Sequence, residues 1–187
     1  EADKSSENDF GKNIIPEMLG DGEKLQTYRF AGYWKDVGTI DSLWDANMDM
    51  LSAEPGLDLF DPQWRIYARN PTAGPHFAGK DAVISHSLVT EGCEIYGKVE
   101  NSVLFNSVTI KEGAVVRYSI LMPGVVVESG AVIEYAIIAE NARIDEQARI
   151  GAQPGGTLPE EWGVSVIAAD VTIEKGTVVK PREMVAQ

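Results

Sequence analysis

The chain has 187 residues, 44% of them hydrophobic, which is enough to build a packed core in one domain or slightly more. Its 16 Lys and Arg against 29 Asp and Glu give a formal net charge of −13, and this acidic excess disfavours binding to nucleic acid or to an anionic membrane. The sequence starts without Met and has no apolar run long enough for a signal peptide or a membrane span, so it is expected to be a piece of a longer polypeptide.

Two short elements are predicted near the start of the chain. Residues 13–19 contain Pro16 early in the run, where a helix tolerates proline, and they predict a short helix. Residues 25–30 alternate between apolar and polar side chains, which predicts a strand.

A longer amphipathic helix is predicted over residues 40–51. Its apolar side fits one stripe made of Ile40, Leu43, Trp44, Asn47, Met48 and Leu51. Thr39 is the expected N-cap, and its spacing to Ser42 is expected to give no capping box. Asp36 therefore lies on a strand end or turn just before a helix, a common location for site chemistry.

The second half of the chain repeats with a period of six. Small residues precede most of the repeating aliphatic positions by two, at Gly124, Gly130, Ala136, Ala142 and Ala148, and the aliphatic positions themselves are Ile120, Val126, Val132, Ile138, Ile144 and Ile150. Neither a helix nor a single strand has this spacing, so it indicates short strands joined by tight corners in a solenoid whose aliphatic column fills the axis.

The same phase extends in both directions. It runs upstream through Val83, Val89, Ile95, Leu104, Ile110 and Val116 and downstream through Ile167, Ile173 and Val179, which predicts about five coils. Residues 151–165 interrupt the period and are rich in turn formers, so they predict a loop extending from one corner.

The cysteine and histidine content excludes several kinds of site. The single Cys93 rules out an internal disulfide and is predicted to be a small buried wall residue. The two histidines, His76 and His86, cannot form a three-histidine metal site within one chain. The repeat itself does not choose a function, because hexapeptide solenoids occur in acyltransferases, in metal-dependent anhydrases and as appendages of nucleotidyltransferases.

Several motifs together resemble one family. Residues 9–16 (DFGKNIIP), 32–40 (GYWKDVGTI) and 44–49 (WDANMD), followed by the segments 88–93, 102–105 and 180–184, are similar to bacterial glucose-1-phosphate adenylyltransferases, also called ADP-glucose pyrophosphorylases. The resemblance implies a mainly β chain in which a left-handed parallel β-helix follows the end of a Rossmann-like α/β nucleotidyltransferase domain. The expected divisions are residues 1–53 for that domain, 54–80 for a Pro- and Gly-rich linker, and 81–187 for the β-helix with its loop 151–165.

The resemblance also implies a reaction and a set of site residues. The family makes ADP-glucose and pyrophosphate from ATP and glucose 1-phosphate on the route to glycogen, with Mg²⁺ as the main electrophile. Asp36 matches the aspartate that helps to hold this metal. Asp9, Phe10 and Gly11 match a segment near the sugar-phosphate pocket, where they either touch substrate or shape the loop, and Trp34 and Lys35 flank the metal ligand, with Lys35 directed to a phosphate or to water. Because no glycine-rich nucleotide loop and no second acidic ligand is present, the chain alone is expected to be inactive.

The β-helix is expected to serve oligomerisation, with tetramers usual in the family, and allosteric regulation by phosphorylated effectors in a cytoplasmic enzyme. Arg182 matches an effector-binding arginine of enteric members, whereas Asn141 stands where those members have a further arginine, so the effector is left open. Three alternatives remain: a non-catalytic regulatory subunit, a related nucleotidyltransferase with another base or sugar, and a hexapeptide acyltransferase with His86 as its base.

Overall fold

The computed structural model describes residues 6–52, 56–67, 72–155 and 163–186. Its contacts divide the chain into two compact units, Glu1–Gly32 and Tyr33–Gln187. The described residues contain no helix long and apolar enough to cross a membrane.

The first unit contains two short helical segments. A π-helix spans Phe10–Ile14 and leads directly into helix α1, Ile15–Gly20, which confirms the helix predicted around Pro16. Asp9 caps the start of this region, because its Oδ1 accepts a hydrogen bond from the backbone N–H of Lys12 at 2.7 Å.

The strand predicted over residues 25–30 is wrong. These residues lie outside any strand, and Tyr28 and Phe30 are 90% and 64% exposed, so the alternating pattern does not produce alternating burial. An alternating segment forms a strand only where a neighbouring strand takes up its backbone hydrogen bonds, and the described part of this unit contains no such strand.

The second unit is a parallel β-solenoid. Its strands form three six-stranded sheets, and each coil supplies one strand to every sheet. The described residues thus contain six coils rather than the five predicted. The strands are β1 Phe77–Ala78, β2 Val83–Ser85, β3 Leu88–Val89, β4 Glu94–Ile95, β5 Lys98–Glu100, β6 Val103–Leu104, β7 Thr109–Ile110, β8 Val115–Arg117, β9 Ile120–Leu121, β10 Val126–Val127, β11 Val132–Glu134, β12 Ala136–Ile138, β13 Arg143–Ile144, β14 Arg149–Ile150, β15 Ser165–Ile167, β16 Thr172–Ile173, β17 Val178–Val179 and β18 Met184–Val185.

The axis of the solenoid is filled by one continuous aliphatic column, as the repeat predicted. In the central coils its fully buried members are Ile110, Val116, Leu121, Val127, Ile133, Ile138, Ile144 and Ile150. Burying these side chains contributes roughly 1.5–3 kcal/mol each. The column continues through Ile167, Ile173 and Val179.

The strict period of six misplaces four members of this column, and the first of them, Val83, is 47% exposed. Val126 and Val132 are only half-buried, and their neighbours Val127 and Ile133 point inward instead. Ile120 is buried, but against a separate cluster outside the column, while Leu121 fills the axis. The cause is the length of the coil: Val126 pairs with Thr109, 17 residues earlier, so one side of the triangle has five residues and the phase slips by one.

Residues in left-handed backbone conformation turn the corners. Gly124 and Gly130 have φ of 74° and 71°, which explains the small residues predicted there, whereas Ala136, Ala142 and Ala148 are fully buried inside the wall. Other corners use Asn141, Tyr118, Tyr135 and similar residues with positive φ.

A ladder of serines supports one corner from within. The hydroxyl of Ser102 donates to the carbonyl of Glu100 at 2.8 Å and accepts from the N–H of Ser119, whose own hydroxyl accepts from the N–H of Ala136. Ser102 and Ser119 are completely buried, so the ladder satisfies backbone groups that the short strands leave unpaired. The period-six pattern gave no sign of it.

The solenoid is interrupted between β14 and β15, where the sequence predicted a loop. Gly151 begins this insertion with φ of 67°, and a side chain there would meet the carbonyl oxygen of Glu134 at 2.0 Å, so only glycine fits. Residues 156–162 of the predicted loop lie outside the described residues. At the other end, β1 begins at Phe77, inside the segment that the sequence assigned to the linker.

Helix α2, Ile40–Asp49, packs on the outside of the solenoid and confirms the predicted amphipathic helix. Its apolar stripe contacts Ile120, Ile137 and Val164, while Trp44 Nε1 donates to the carbonyl of Tyr118 at 2.7 Å. The expectation of no capping box is wrong: Thr39 accepts from the N–H of Ser42, and the Ser42 hydroxyl accepts from the N–H of Thr39. A serine hydroxyl reaches the backbone as well as a carboxylate does.

Candidate functional site

Asp36, the predicted metal ligand, lies in an exposed turn three residues before the N-cap of α2. Its Oδ1 accepts a hydrogen bond from the backbone N–H of Gly38 at 3.1 Å, which closes a tight local turn. A side chain at residue 38 would come within 3.3 Å of the same oxygen, so glycine keeps this turn open around the carboxylate. The position agrees with the predicted turn before a helix.

Lys35 turns away from water and towards helix α2. Its Nζ donates to Asp49 Oδ2 at 2.8 Å and lies 3.6 Å from Asp45 Oδ2, and the lysine side chain is only 26% exposed. Tyr33 donates its hydroxyl proton to the same Asp49 oxygen at 3.0 Å. The hydrogen bond from Lys35 lowers the pKa of Asp49, and the same bond raises the pKa of Lys35.

Trp34 and Val37 are the exposed apolar side chains of this turn. Trp34 is 76% exposed and Val37 is 51% exposed. Along the turn, Trp34 and Asp36 are therefore exposed, whereas Lys35 between them is held against the protein.

Asp9, Phe10 and Gly11 belong to the first unit, whereas Trp34, Lys35 and Asp36 belong to the second. Asp9 uses its carboxylate as a helical cap, and a side chain at Gly11 would lie 3.4 Å from that carboxylate. Phe10 is 71% exposed. Two roles were predicted for this segment, shaping of the loop and contact with substrate. Its contacts within this unit are of the loop-shaping kind, and contact with substrate stays a prediction.

Arg182, the predicted effector residue, lies at a corner of the last coil between β17 and β18. It is exposed, has φ of 65°, and donates its backbone N–H to the carbonyl of Gly163 at 3.2 Å. Asn141 occupies a corner as well, where it has φ of 56° and donates through Nδ2 to Asp170 at 3.1 Å. Asparagine adopts this conformation more readily than most residues, which gives Asn141 a structural reason to be there.

His86 and Cys93, the residues that could serve as a catalytic base or a reactive thiol, both have structural roles. His86 turns a corner with φ of 46°, and its Nδ1 lies 2.7 Å from Asn101 Oδ1. Cys93 is 1% exposed, as predicted for a wall residue, and burial raises the pKa of its thiol, which makes a reactive thiolate unfavourable.

The chemistry of Asp36 fits one ligand of a magnesium ion, and the magnesium site itself stays a prediction. Mg²⁺ prefers carboxylate oxygen and is usually bound by one or two carboxylates together with waters and substrate phosphates. Asp36 supplies one such exposed group, and the described residues contain no cluster of three or more His, Cys, Asp and Glu that would hold a metal alone. If the ion binds here, this part of the chain would therefore supply one carboxylate ligand.

Sequence reasoning missed the part played by helix α2 in holding the turn. Asp41, Asp45 and Asp49 are spaced by four residues and thus share one face of the helix, opposite to the apolar stripe. This spacing, next to a lysine and a tyrosine in the preceding loop, was the available signal for an ion-pair cluster.

Comparisons with known proteins agree with both parts of the chain. A nucleotidyl transferase family model matches residues 1–53, and a family model described as GlmU-like, C-terminal hexapeptide, matches residues 75–157. The class is thus a nucleotidyltransferase segment followed by a hexapeptide solenoid.

Among curated proteins, the glucose-1-phosphate adenylyltransferase of Clostridium beijerinckii is 49% identical over 185 residues, which cover 99% of this chain and 46% of that protein. Its counterpart in Clostridium perfringens strain 13 is 58% identical over 123 residues, 66% of this chain and 31% of that protein, and one from Bacillus thuringiensis strain Al Hakam is 48% identical over 180 residues, 96% of this chain and 40% of that protein. The chain is homologous to the glucose-1-phosphate adenylyltransferases, and it spans less than half the length of these relatives.

Proposed function

We propose that the chain is part of a glucose-1-phosphate adenylyltransferase that makes ADP-glucose and pyrophosphate from ATP and glucose 1-phosphate for glycogen synthesis. The observation that carries the proposal is Asp36, an exposed carboxylate in a closed turn at the start of a docked helix, within a chain whose relatives carry that name over 96–99% of its length. The remaining active-site groups would come from parts of the enzyme beyond this chain.

The chain's own contribution to the reaction would be to hold and orient the bound metal ion and the substrates. A bound Mg²⁺ would neutralise charge on the phosphates of ATP, which is the main requirement of this chemistry. Asp36 would supply one oxygen ligand, kept in place by its hydrogen bond to the N–H of Gly38. Asp9, Phe10 and Gly11 would shape the edge of the sugar-phosphate pocket, and Trp34 would cover the site with an exposed ring.

The solenoid would serve assembly and control. Its long stack of coils offers a rigid surface for a homo-oligomer, which we propose to be a tetramer in a cytoplasmic enzyme. Arg182 is an exposed corner residue whose guanidinium is suited to a phosphorylated effector. Asn141 is occupied at its own corner, so the effector contacts would differ from those of relatives with a second arginine.

The test is ADP-glucose synthesis by the full-length protein, its Asp36→Asn variant and this chain alone. We expect activity in the full-length protein, a loss of about a hundredfold or more in Asp36→Asn because a charged metal ligand is replaced by a neutral one, and no activity in the chain alone. Asp41→Asn, an exposed change at the start of α2, is the matched control and should keep its activity.

An inactive full-length protein that still binds ATP would contradict this function and support a regulatory subunit instead. An active Asp36→Asn variant would leave the reaction in place but remove Asp36 from the metal site. Acetyl-coenzyme A binding is the corresponding test of the acyltransferase alternative, and we expect none because His86 is turned to Asn101 at a corner.

A further inference from the structure

A cluster of polar side chains surrounds Asp49 in the second unit, and the proposed reaction as described above gives this cluster no role. Lys35 Nζ and the hydroxyl of Tyr33 both donate to one atom, Asp49 Oδ2, at 2.8 Å and 3.0 Å. Asp45 adds a second carboxylate 3.6 Å from the lysine. The Asp49 side chain is 41% exposed and that of Lys35 only 26%, so the pair lies at the edge of the solvent rather than in it.

This cluster ties the Asp36 turn to helix α2 at two places. On one side of Asp36, Lys35 and Tyr33 reach the last turn of the helix through Asp49. On the other side, Thr39 and Ser42 form the capping box at its first turn. The seven residues from 33 to 39 are therefore attached to both ends of helix α2, and Asp36 lies in the middle of these seven residues.

Helix α2 is itself attached to the solenoid, so residues 33–39 are held by a helix that is fixed in place. Trp44 donates to the Tyr118 carbonyl at 2.7 Å and its ring lies 5.6 Å from that of Tyr135. Tyr118 and Tyr135 stack on each other with ring centroids 4.7 Å apart. A ligand held by a loop is positioned well only if the loop has such fixed attachments.

Resting on the proposed function, we propose that Asp49, together with Tyr33, is a positioning residue for the metal ligand Asp36 and acts through Lys35. Lys35 is then committed to Asp49 rather than to a substrate phosphate. The sequence left two roles open for Lys35, contact with a phosphate or with water, and the proposal replaces both with a third, in which the charge of Lys35 orients the turn.

The test is a double-mutant cycle in the full-length protein with Lys35→Met, Asp49→Asn and the double variant. If the two residues act as one unit, each single change and the double change should raise the Mg²⁺ concentration needed for half-maximal activity by a similar amount, about tenfold. Lys35→Arg keeps the charge and the donors and should recover most of the loss. Asp41→Asn, on the same face of the same helix, is the control and should behave like the parent.

A second readout does not depend on turnover. Mn²⁺ binding by the same proteins, followed by water proton relaxation with and without ATP, should weaken equally in Lys35→Met, Asp49→Asn and the double variant. A lysine that contacts a phosphate would give a different pattern: Lys35→Met alone would be severe, Asp49→Asn would match Asp41→Asn, and the proposal would be overturned.

The two readouts separate this inference from the proposed function. A protein without ADP-glucose synthesis whose Mn²⁺ affinity follows the cycle would refute the function and support the positioning role. A protein that synthesises ADP-glucose while Asp49→Asn leaves both readouts unchanged would support the function and overturn the role. Absence of both synthesis and Mn²⁺ binding in the parent would overturn both.

Discussion

The solenoid and the segment from Tyr33 to Leu51 are built in opposite ways, although both belong to the second unit. The solenoid holds its shape through a continuous buried column in which one coil repeats the contacts of the last. The segment instead leaves Trp34 and Asp36 exposed, and its turn, residues 33–39, is held to helix α2 by a few specific polar contacts, while α2 packs its apolar stripe on the solenoid. The solenoid core thus depends on many repeated apolar contacts, whereas the turn depends on single hydrogen bonds, and this is the arrangement expected of a scaffold beside a site.

The largest effect on stability is expected from a change in the buried aliphatic column of the solenoid. Ile133→Ala should lower the free energy of unfolding by roughly 2–5 kcal/mol, because Ile133 is fully buried and its loss leaves a cavity on the axis. Val132→Ala is the matched control on the same strand, and its cost should be clearly smaller because Val132 is half-buried. Denaturant unfolding of the two variants measures the difference, and a reversed order would restore the strict period of six that placed Val132 inside.

A change in the contact between helix α2 and the solenoid should have a smaller effect on stability. Trp44→Phe keeps most of the ring against Ile120 and Ile137 but removes the N–H that donates to Tyr118, at a cost of about 1 kcal/mol. Trp34→Phe, which changes a 76% exposed ring in the same segment, should leave stability unchanged. Thermal unfolding of both variants checks this, and equal losses would mean that α2 is not fixed to the solenoid through Trp44.

The two regions also differ in how far the sequence predicted them. The spacing of aliphatic residues predicted the solenoid, its buried column and the insertion after Ile150, because a repeated packing requirement leaves a repeated pattern. It failed at Val126 and Val132, since a coil of 17 residues is not a multiple of six. The strand predicted over residues 25–30 failed for another reason, because alternation does not reveal whether a pairing partner exists.

The candidate site was predictable only in its parts. The helix pattern from Ile40 placed Asp36 on a strand end or turn before a helix, and the structure shows the turn. The resemblance supplied the role of Asp36 as a metal ligand, which stays a prediction. The convergence of Tyr33 and Lys35 on Asp49 joins side chains that lie 16 and 14 residues before Asp49 in the sequence, and they meet only where the turn folds back along α2. No local propensity encodes such a contact, although the four-residue spacing of aspartates on the helix was visible.

The smallest predicted effect concerns charge on the outer face of the solenoid. Arg117 donates to Glu100 at 2.8 Å and to Glu134 at 3.0 Å, and the hydrogen bond from Arg117 lowers the pKa of Glu100 below its ordinary value of 4.5. A glutamate with a lowered pKa adds stability above its unfolded pKa, and this stability is lost as the pH falls through the folded pKa. Glu100→Gln should therefore cost about 1 kcal/mol or less at pH 7 and progressively less below pH 4.5, where the variant and the parent should converge. Glu140→Gln, an exposed change elsewhere on the solenoid, is the control, and unfolding measured from pH 7 to pH 3 makes the comparison. A Glu100→Gln deficit that stays constant with pH would show that the side chain stabilises the coil by packing alone, which would make this face of the solenoid independent of its charges.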